Sequence, residues 1–301
     1  MIAEIAERGG QVFVVTHSIG MVRAFAVDDL ILISDEPRGT PLALRTALSA
    51  RAKQGYERRL DGPVAQALFS RVPMLVEGPS DRAVMTVFWD KLATDKRVEP
   101  RHARMLDFIN CEGASLQPEM ARLLCEARKH VVAWAELDEP ENLARLQSEG
   151  HCSAIVRYGA DSEQQNLEGA IASACSIKAL ASGMTVISES RGYDWARQQR
   201  DLLDRCEDAA DEERAAMRAA TNIEELLCTL PVALARQLVY KALTGTAGTP
   251  FEIKGARPAR QLAERIIEID GVPGPFMRAM TALDRWIADG CAATTDVEMG
   301  P

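Results

Sequence analysis

Four acidic residues stand directly after apolar runs of the sequence, at the points where buried strands would end. Glu77 and Asp81 follow one run and are separated by Gly-Pro-Ser, and Glu136 and Asp138 follow a later run. Positions i and i+2 of an extended chain face the same side, roughly 6.6 Å apart, so Glu136 and Asp138 can approach one ion together. Oxygen ligands without histidine or cysteine favour magnesium or manganese over zinc. These residues therefore predict a divalent-cation site.

The elements around these residues predict that the two pairs share one crevice. Met74–Val76 suits a buried strand, Gly78 permits a tight turn, and Pro79 fits the first position of a helix. Both pairs would then lie at the carboxyl ends of strands in one parallel sheet, where open α/β sheets bind ligands. So many carboxylates would repel one another unless cations lay between them. For the first pair alone, a helix-capping Asp81 and a solvated Glu77 are an equally good interpretation.

The alternation of strand and helix patterns after Val72 predicts the fold class. Beyond the first strand and helix, the patterns predict strands at 104–109, 131–136 and 154–158 and helices at 116–129 and 141–149. Near-continuous apolar strands in such an alternation predict an α/β fold with a mainly parallel sheet flanked by helices. Patterns rich in Ala, Arg, Asp and Glu at 188–248 predict an additional helical subdomain. Upstream, two more strands are predicted, at 11–15 and 29–34.

The composition limits the function classes. Hydrophobic residues make up 47% and charged residues 26% of the 301 residues, as in ordinary globular proteins. The net charge of −9, from 35 basic and 44 acidic side chains, speaks against a nucleic-acid binder with a broadly basic surface. Carboxylates loaded with divalent cations would still attract phosphate locally. Seven widely spaced cysteines without a CxxC pair argue against disulfides and zinc. Without a bilayer-length apolar run or a signal peptide, we expect a cytoplasmic protein with no membrane contact.

The acidic segments also carry a resemblance to a known family. An apolar strand ending in Glu-Gly-x-Ser-Asp, followed later by a strand ending in an acidic-x-acidic pair, resembles the Toprim domain over about Val72 to Ser173. The chain differs from most Toprim domains at Glu136, where those proteins have aspartate. This difference leaves open whether Glu136 binds metal directly.

A second resemblance lies upstream. The segment Val14–Ser18 (Val-Val-Thr-His-Ser) resembles the switch-histidine segment near the end of an ABC-type ATPase head. No GxxxxGKS or GxxxxGKT motif occurs in the sequence, so the chain holds no complete ATP site of that kind. An ATPase tail followed by a Toprim domain resembles the arrangement of the overcoming-lysogenization-defect (OLD) family nucleases. We therefore expect the ATPase body, and a homodimer formed through it, outside this chain.

The OLD resemblance implies a divalent-metal-dependent DNA endonuclease that uses two Mg²⁺ or Mn²⁺ ions. It implies a first ion held by Glu77, Asp81 and Asp138. A second ion would be held by Asp138, Glu136 and Glu168. Glu168 stands in Asn-Leu-Glu-Gly, which resembles the family's third acidic segment; an acid in a first helical turn is the alternative interpretation.

The same resemblance implies a lysine near the scissile phosphate. Residues 251–260 resemble the part of these nucleases that supplies a transition-state lysine, for which Lys254 is the first choice and Arg257 the second. Lys254 can act only if the chain returns to the sheet after about Gly248. Catalytic roles are thus expected for Glu77, Asp81, Asp138 and Lys254.

The patterns and resemblances together divide the chain. We expect an ATPase tail at 1–45, a connector at 46–71, a Toprim domain at 72–187, a helical insert at 188–248, a return segment with the lysine and C-terminal helices at 249–291, and a tail at 292–301. Two alternatives stay open: another Toprim enzyme, such as a primase-like polymerase or an RNA-maturing nuclease, and a non-catalytic regulatory or dimerisation arm of an ATPase. A topoisomerase would need a nucleophilic tyrosine, normally on a separate large domain, and no such context surrounds Tyr56, Tyr158, Tyr193 or Tyr240.

Overall fold

Helices and strands alternate between residues 72 and 158, and the described residues from 166 to 291 form helices and loops. The computed structural model describes residues 11–33, 40–59, 63–158, 166–207, 209–245, 248–291 and 295–298. Its strands are β1 (Ile31–Leu32), β2 (Leu42–Ala43), β3 (Val72–Val76), β4 (Leu106–Asn110), β5 (Val132–Glu136), β6 (Ala154–Tyr158) and β7 (Thr295–Glu298). Its helices are α1 (Ile19–Val22), α2 (Leu44–Ala47), α3 (Ala50–Arg59), α4 (Pro63–Phe69), α5 (Pro79–Thr94), α6 (Pro100–Ala103), α7 (Gln117–Glu126), α8 (Pro140–Glu149), α9 (Leu167–Ala174), α10 (Ile177–Ser190), α11 (Trp195–Arg205), α12 (Asp211–Ala219), α13 (Ile223–Cys228), α14 (Val232–Leu243), α15 (Ala256–Ile269) and α16 (Gly274–Ala288).

Strands β3 to β7 form one parallel sheet in the order β4-β3-β5-β6-β7. From β3 the chain passes through α5 to β4 on one side, and then through α7 to β5 on the other side of β3. The carboxyl ends of β3 and β5 therefore flank the point where the winding reverses, where open α/β sheets form a ligand-binding crevice. The predicted α/β class with a parallel sheet flanked by helices is confirmed, and it is consistent with a Toprim-like fold.

Alternate residues of the strands enter two hydrophobic cores. Met74 and Trp134 belong to the core formed with α5 and the helices that follow β6. Leu75 and Ala133 belong to the core formed with α3, α4 and α7. Every residue of β3 is buried, because helices cover both faces of a parallel sheet. The two cores fix the strand ends, and with them the loops that carry the candidate site.

The chain returns to the sheet after the helical insert. Helices α11 to α14 occupy the predicted insert and pack into the same core as α15 and α16. Phe251 and Ile253 are fully buried, and the amide of Ile253 donates to the carbonyl oxygen of Leu243 at 3.1 Å. Helix α15 then packs along α5. The segment before α15 therefore lies beside the N-terminus of α5.

The predicted connector contributes to the fold of the sheet. Leu48, Tyr56 of α3 and Leu68 of α4 pack in one core with Leu75 of β3. The predicted domain boundaries stay predictions. In the described ranges, no helix is long and apolar enough to cross a membrane.

The predicted strands near the N-terminus need correction. The strand expected at 11–15 is wrong, because residues 11–18 belong to no helix or strand, with Phe13 76% and Val15 89% exposed. A strand needs partners to be stable, and apolar β-forming residues do not supply them. The strand expected at 29–34 is reduced to β1, and Ser34 lies outside the described residues, as do other parts of the predicted ATPase tail.

The predicted C-terminal tail also differs. Within 292–301, residues Thr295–Glu298 form β7 and pair in parallel with β6; the other residues of that segment are outside the described ranges. A short polar segment is typical of a tail, and only the presence of a sheet edge turns it into a strand.

Candidate functional site

A buried polar side chain separates β3 from β5 at the base of the crevice. The last paired residues of these strands are Leu75 and Ala133. Next to them, Gln117 of α7 donates from Nε2 to the carbonyl oxygens of Leu75 at 3.3 Å and Trp134 at 3.0 Å. Its Oε1 accepts from Nδ2 of Asn142 at 2.9 Å. Gln117 thus takes the place of strand-to-strand hydrogen bonds and holds the strand ends apart, a role that the sequence interpretation missed.

Glu77 and Asp81 flank the turn from β3 into α5. Glu77 follows the strand directly and is half-buried, whereas Asp81 lies in the first helical turn and is buried. The amide of Gly78 donates to Oδ2 of Asp81 at 3.1 Å, which fixes this carboxyl group at the positive end of the helix. The other oxygen, Oδ1, faces Tyr158 across the crevice. Asp81 therefore caps α5 and also faces the crevice, so both sequence interpretations of it apply.

Glu136 and Asp138 lie at the end of β5. Glu136 is the last residue of the strand, and Asp138 follows in the turn before α8, where it is more open to solvent. The negative charges of Asp81, Glu77 and Asp138 are close enough to raise the pKa of Glu136. The amide of Leu167, at the start of α9, donates to Oε1 of Glu136 at 3.1 Å. The structure therefore brings the four acids of the two sequence segments into one cluster.

Tyr158 is a site residue that the sequence interpretation missed. It ends β6, is paired in register with Glu136, and is fully buried. Its hydroxyl lies 2.7 Å from Oδ1 of Asp81 and also contacts Oε1 of Glu136. A phenol has one proton, so it donates to one carboxyl group, and the other contact needs a proton on the carboxyl side. A tyrosine at a strand end was the available signal, but only the strand order places it beside Glu136.

Burial and mutual repulsion raise the pKa values of these carboxyl groups. Burial, followed by neighbouring negative charges, raises the pKa of Glu136 to about 10 and that of Glu77 to about 7. The pKa values of Asp81 and Asp138 are also raised, chiefly by burial. Burial raises the pKa of Tyr158 well above its usual value, so the phenol stays protonated. The cluster consequently retains protons near neutral pH, and a divalent cation that displaced them would relieve the same repulsion.

Glu168 approaches the cluster from a separate helix. It lies in the first turn of α9, whose N-cap residue Asn166 accepts at Oδ1 from the amide of Gly169 at 3.0 Å. Burial raises the pKa of Glu168 to about 7; the charge of Asp81 also raises this pKa, and the charge of Lys254 lowers it. Glu168 is thus a first-turn acid, as the alternative interpretation held, and it lies within electrostatic range of the cluster.

Lys254 lies beside the acidic cluster although it is distant in sequence. Its side chain is exposed, and both of its neighbours are bound by one residue of the first turn of α5. Oγ of Ser80 donates to the carbonyl oxygen of Ile253 at 2.8 Å and accepts from the amide of Gly255 at 2.9 Å. Arg257, the second choice from the sequence, is exposed in the first turn of α15.

The loop before Lys254 is fixed by the helical insert. The guanidinium group of Arg191 donates to the carbonyl oxygens of Thr249 and Glu252, each at 2.7 Å. The hydroxyl of Tyr193 donates to the carbonyl oxygen of Gly248 at 2.6 Å. Side chains between α10 and α11 therefore hold the backbone of the return segment just before Lys254.

The carboxylate oxygens of the cluster suit a hard divalent cation, but they are not yet arranged as its ligands. Across the part of the chain that the structure describes, no three His, Cys, Asp or Glu side chains are already arranged as metal ligands. Glu136 is instead turned toward Tyr158 and the amide of Leu167. Carboxylate oxygens are the ligands that Mg²⁺ and Mn²⁺ prefer. The residues that could hold such ions are Glu77, Asp81, Glu136, Asp138 and Glu168.

Comparisons with known proteins give one distant structural neighbour. No protein-family model and no curated protein matches the chain. Among solved structures, the chain is similar to the C-terminal region of the Xanthomonas campestris pv. campestris OLD protein, with 17% sequence identity, coverage of 74% of this chain and 97% of that chain, and a TM-score of 0.35. At this level the similarity assigns no residue roles, which therefore depend on the geometry of the crevice.

Proposed function

We propose that the chain is a divalent-metal-dependent DNA endonuclease with a two-metal Toprim mechanism, the nuclease region of an OLD-type ATPase-nuclease. One observation carries the proposal: acidic side chains from the end of β3, from α5, from the end of β5 and from α9 meet in one crevice, and a lysine lies beside them. Carboxyl groups with pKa values raised to about 7 and about 10 reduce the stability of the fold at high pH. Such groups cluster at functional sites.

The protein's residues divide into ligands and supporting groups. Bound Mg²⁺ or Mn²⁺ would supply an activated water and stabilise the leaving oxygen of a phosphodiester. The ligands of the first ion would be Glu77, Asp81 and Asp138, and those of the second Glu136, Asp138 and Glu168.

The supporting groups act through fixed donors and charge. The hydroxyl group of Tyr158 contacts the carboxyl groups of both Asp81 and Glu136 and orients them. The amide of Leu167 gives Glu136 a second fixed donor. Lys254 places a positive charge beside the cluster, where it would offset the negative charge that develops on the phosphate during cleavage.

A non-catalytic role is the competing proposal. The lack of a finished ligand group among the described residues favours it, because the carboxyl groups could be structural and held by shared protons and Tyr158. This role predicts no site-specific binding of Mg²⁺ or Mn²⁺. Another Toprim enzyme would share the metal site and differ in substrate.

Cleavage of supercoiled plasmid by the purified chain tests the proposal. We expect nicking or cutting with Mg²⁺ or Mn²⁺ in the absence of ATP, and complete inhibition by EDTA. Asp81→Asn should abolish cleavage, whereas Asp95→Asn, at the solvent-exposed end of the same helix, should not. RNA substrates and primer-synthesis templates in parallel reactions separate the other Toprim activities. Activity that persists in EDTA, or no activity with any divalent cation, would contradict the proposal.

A further inference from the structure

Ser80 joins two segments of the site that are far apart in the sequence. Its hydroxyl donates to the carbonyl oxygen of Ile253, 173 residues away, and accepts from the amide of Gly255. The residue between these two partners is Lys254. One hydroxyl group therefore binds the backbone on both sides of the lysine, because a serine can donate and accept at the same time.

We propose that Ser80 is a positioning residue that holds Lys254 beside the acidic crevice, an inference that rests on the proposed function. Ser80 directly precedes Asp81, which is only 6% exposed and faces the crevice. The hydrogen bonds of Ser80 therefore tie the position of the lysine to that of a buried acid. A small movement of α5 would carry both groups together.

Other hydroxyl groups on α5 behave differently. Thr86 and Thr94 donate to carbonyl oxygens four residues earlier in the same helix, at 2.7 and 2.8 Å, which is the common local pattern for such residues. Ser80 forms its two hydrogen bonds with a different segment of the chain. The hydroxyl group of Ser80 therefore does not stabilise its own helix, and its hydrogen bonds connect α5 to the segment around Lys254.

The backbone around Lys254 leaves little freedom once Ser80 is bound. Ile253 is fully buried, and Gly255 has φ +126° and ψ 153°, a conformation that favours glycine. The chain thus turns sharply directly after Lys254 and enters α15. The lysine side chain itself is exposed, so a fixed backbone presents a solvent-accessible amine.

Loss of the hydroxyl should displace the lysine without removing a metal ligand. Because a misplacement of about 1 Å can reduce a rate about 10²-fold, we expect Ser80→Ala to lower kcat for plasmid cleavage by about 10- to 100-fold. The affinity for Mn²⁺, measured by calorimetry, should stay unchanged. Ser80→Thr, which keeps the hydroxyl, should restore most of the rate, and Thr86→Ala serves as the matched control on the same helix.

A double-mutant cycle with Lys254→Ala is the decisive measurement. If Ser80 acts through the lysine, Ser80→Ala should change kcat less than about twofold once Lys254 is alanine. The proposal is overturned if Ser80→Ala lowers kcat equally in the wild type and in Lys254→Ala, or if it does not lower kcat in the wild type. If Ser80→Ala does not fold, Ser80→Cys takes its place, since a thiol is a weak donor of similar size.

Hydrogen exchange separates this proposal from the proposed function. The amide of Gly255 should exchange faster in Ser80→Ala than in the wild type or Thr86→Ala, whether or not the chain cleaves DNA. A wild-type chain that is inactive with every cation refutes the nuclease function. Unchanged exchange at Gly255 refutes the link between Ser80 and the lysine segment.

Discussion

Replacing Glu168 by glutamine should stabilise the cation-free protein at alkaline pH, although it removes a proposed metal ligand. Burial is the main reason why the pKa of Glu168 rises from 4.5 to about 7 on folding. A carboxyl group with a raised folded-state pKa stabilises the fold fully below its unfolded pKa, and this contribution is lost as pH rises through the folded pKa. The two pKa values, 4.5 and about 7, correspond to a reduction in the free energy of unfolding of about 3 kcal/mol at pH 8 and about 1 kcal/mol or less at pH 5. Glutamine carries no charge and avoids this cost.

Urea unfolding in EDTA at pH 5 and pH 8 measures the effect. We expect the free energy of unfolding of Glu168→Gln to exceed that of the wild type by up to about 3 kcal/mol at pH 8, and to differ little at pH 5. Adding Mn²⁺ should reverse the order, because only the wild type keeps the ligand. Glu141→Gln, an exposed first-turn acid of α8, is the control. The reasoning is refuted if Glu168→Gln is no more stable than the wild type at pH 8, or if Glu141→Gln gains as much.

Three further substitutions test separate parts of the site. Lys254→Ala should lower the cleavage rate by about 10²–10³, as for other lost transition-state donors, with unchanged melting temperature and Mn²⁺ affinity; a wild-type rate would move the role to Arg257. Tyr158→Phe should weaken Mn²⁺ binding in calorimetry by about tenfold, because two crevice carboxyl groups lose a shared hydrogen-bond partner; equal affinity would show that other contacts orient them. Gln117→Leu should lower the free energy of unfolding in urea by about 2–4 kcal/mol, since buried strand carbonyls lose their donor; a loss below about 1 kcal/mol would contradict its role between the strands.

The grouping of the strand-end acids could be inferred from the sequence because it depends on local patterns. An apolar run followed by Glu77, and another that ends at Glu136, each indicate a strand end. The regular alternation of strands and helices indicates that the strands are parallel, so their carboxyl ends share an edge. A return of the chain to the sheet after about Gly248 was the condition for a role of Lys254, and the Gly, Thr and Pro residues of that stretch are typical of such a loop.

The rest of the geometry depends on neighbours that no local pattern reveals. Tyr158 looks like an ordinary apolar-strand residue until the register sets it beside Glu136. Gln117 has the sequence context of a helix start, and its function follows from the separation of β3 and β5. The failures have the same origin: residues 11–15 have strand-forming composition without a strand partner, and Thr295–Glu298 gain one only from β6.

Three long-range polar contacts determine the crevice after the cores have fixed the strands. Gln117 reaches a strand carbonyl 42 residues away, Tyr158 reaches an acid 77 residues away, and Ser80 reaches the lysine segment 173 residues away. These contacts set different properties: the separation of the strands, the orientation of the carboxyl groups and the place of the lysine. Gln117 and Tyr158 are buried, whereas Ser80 is half-buried. Changes at Ser80 should therefore reduce the rate while leaving stability and metal affinity intact. Changes at Gln117 should reduce stability and metal affinity together, because the strand ends that carry Glu77 and Glu136 would lose the donor that connects them.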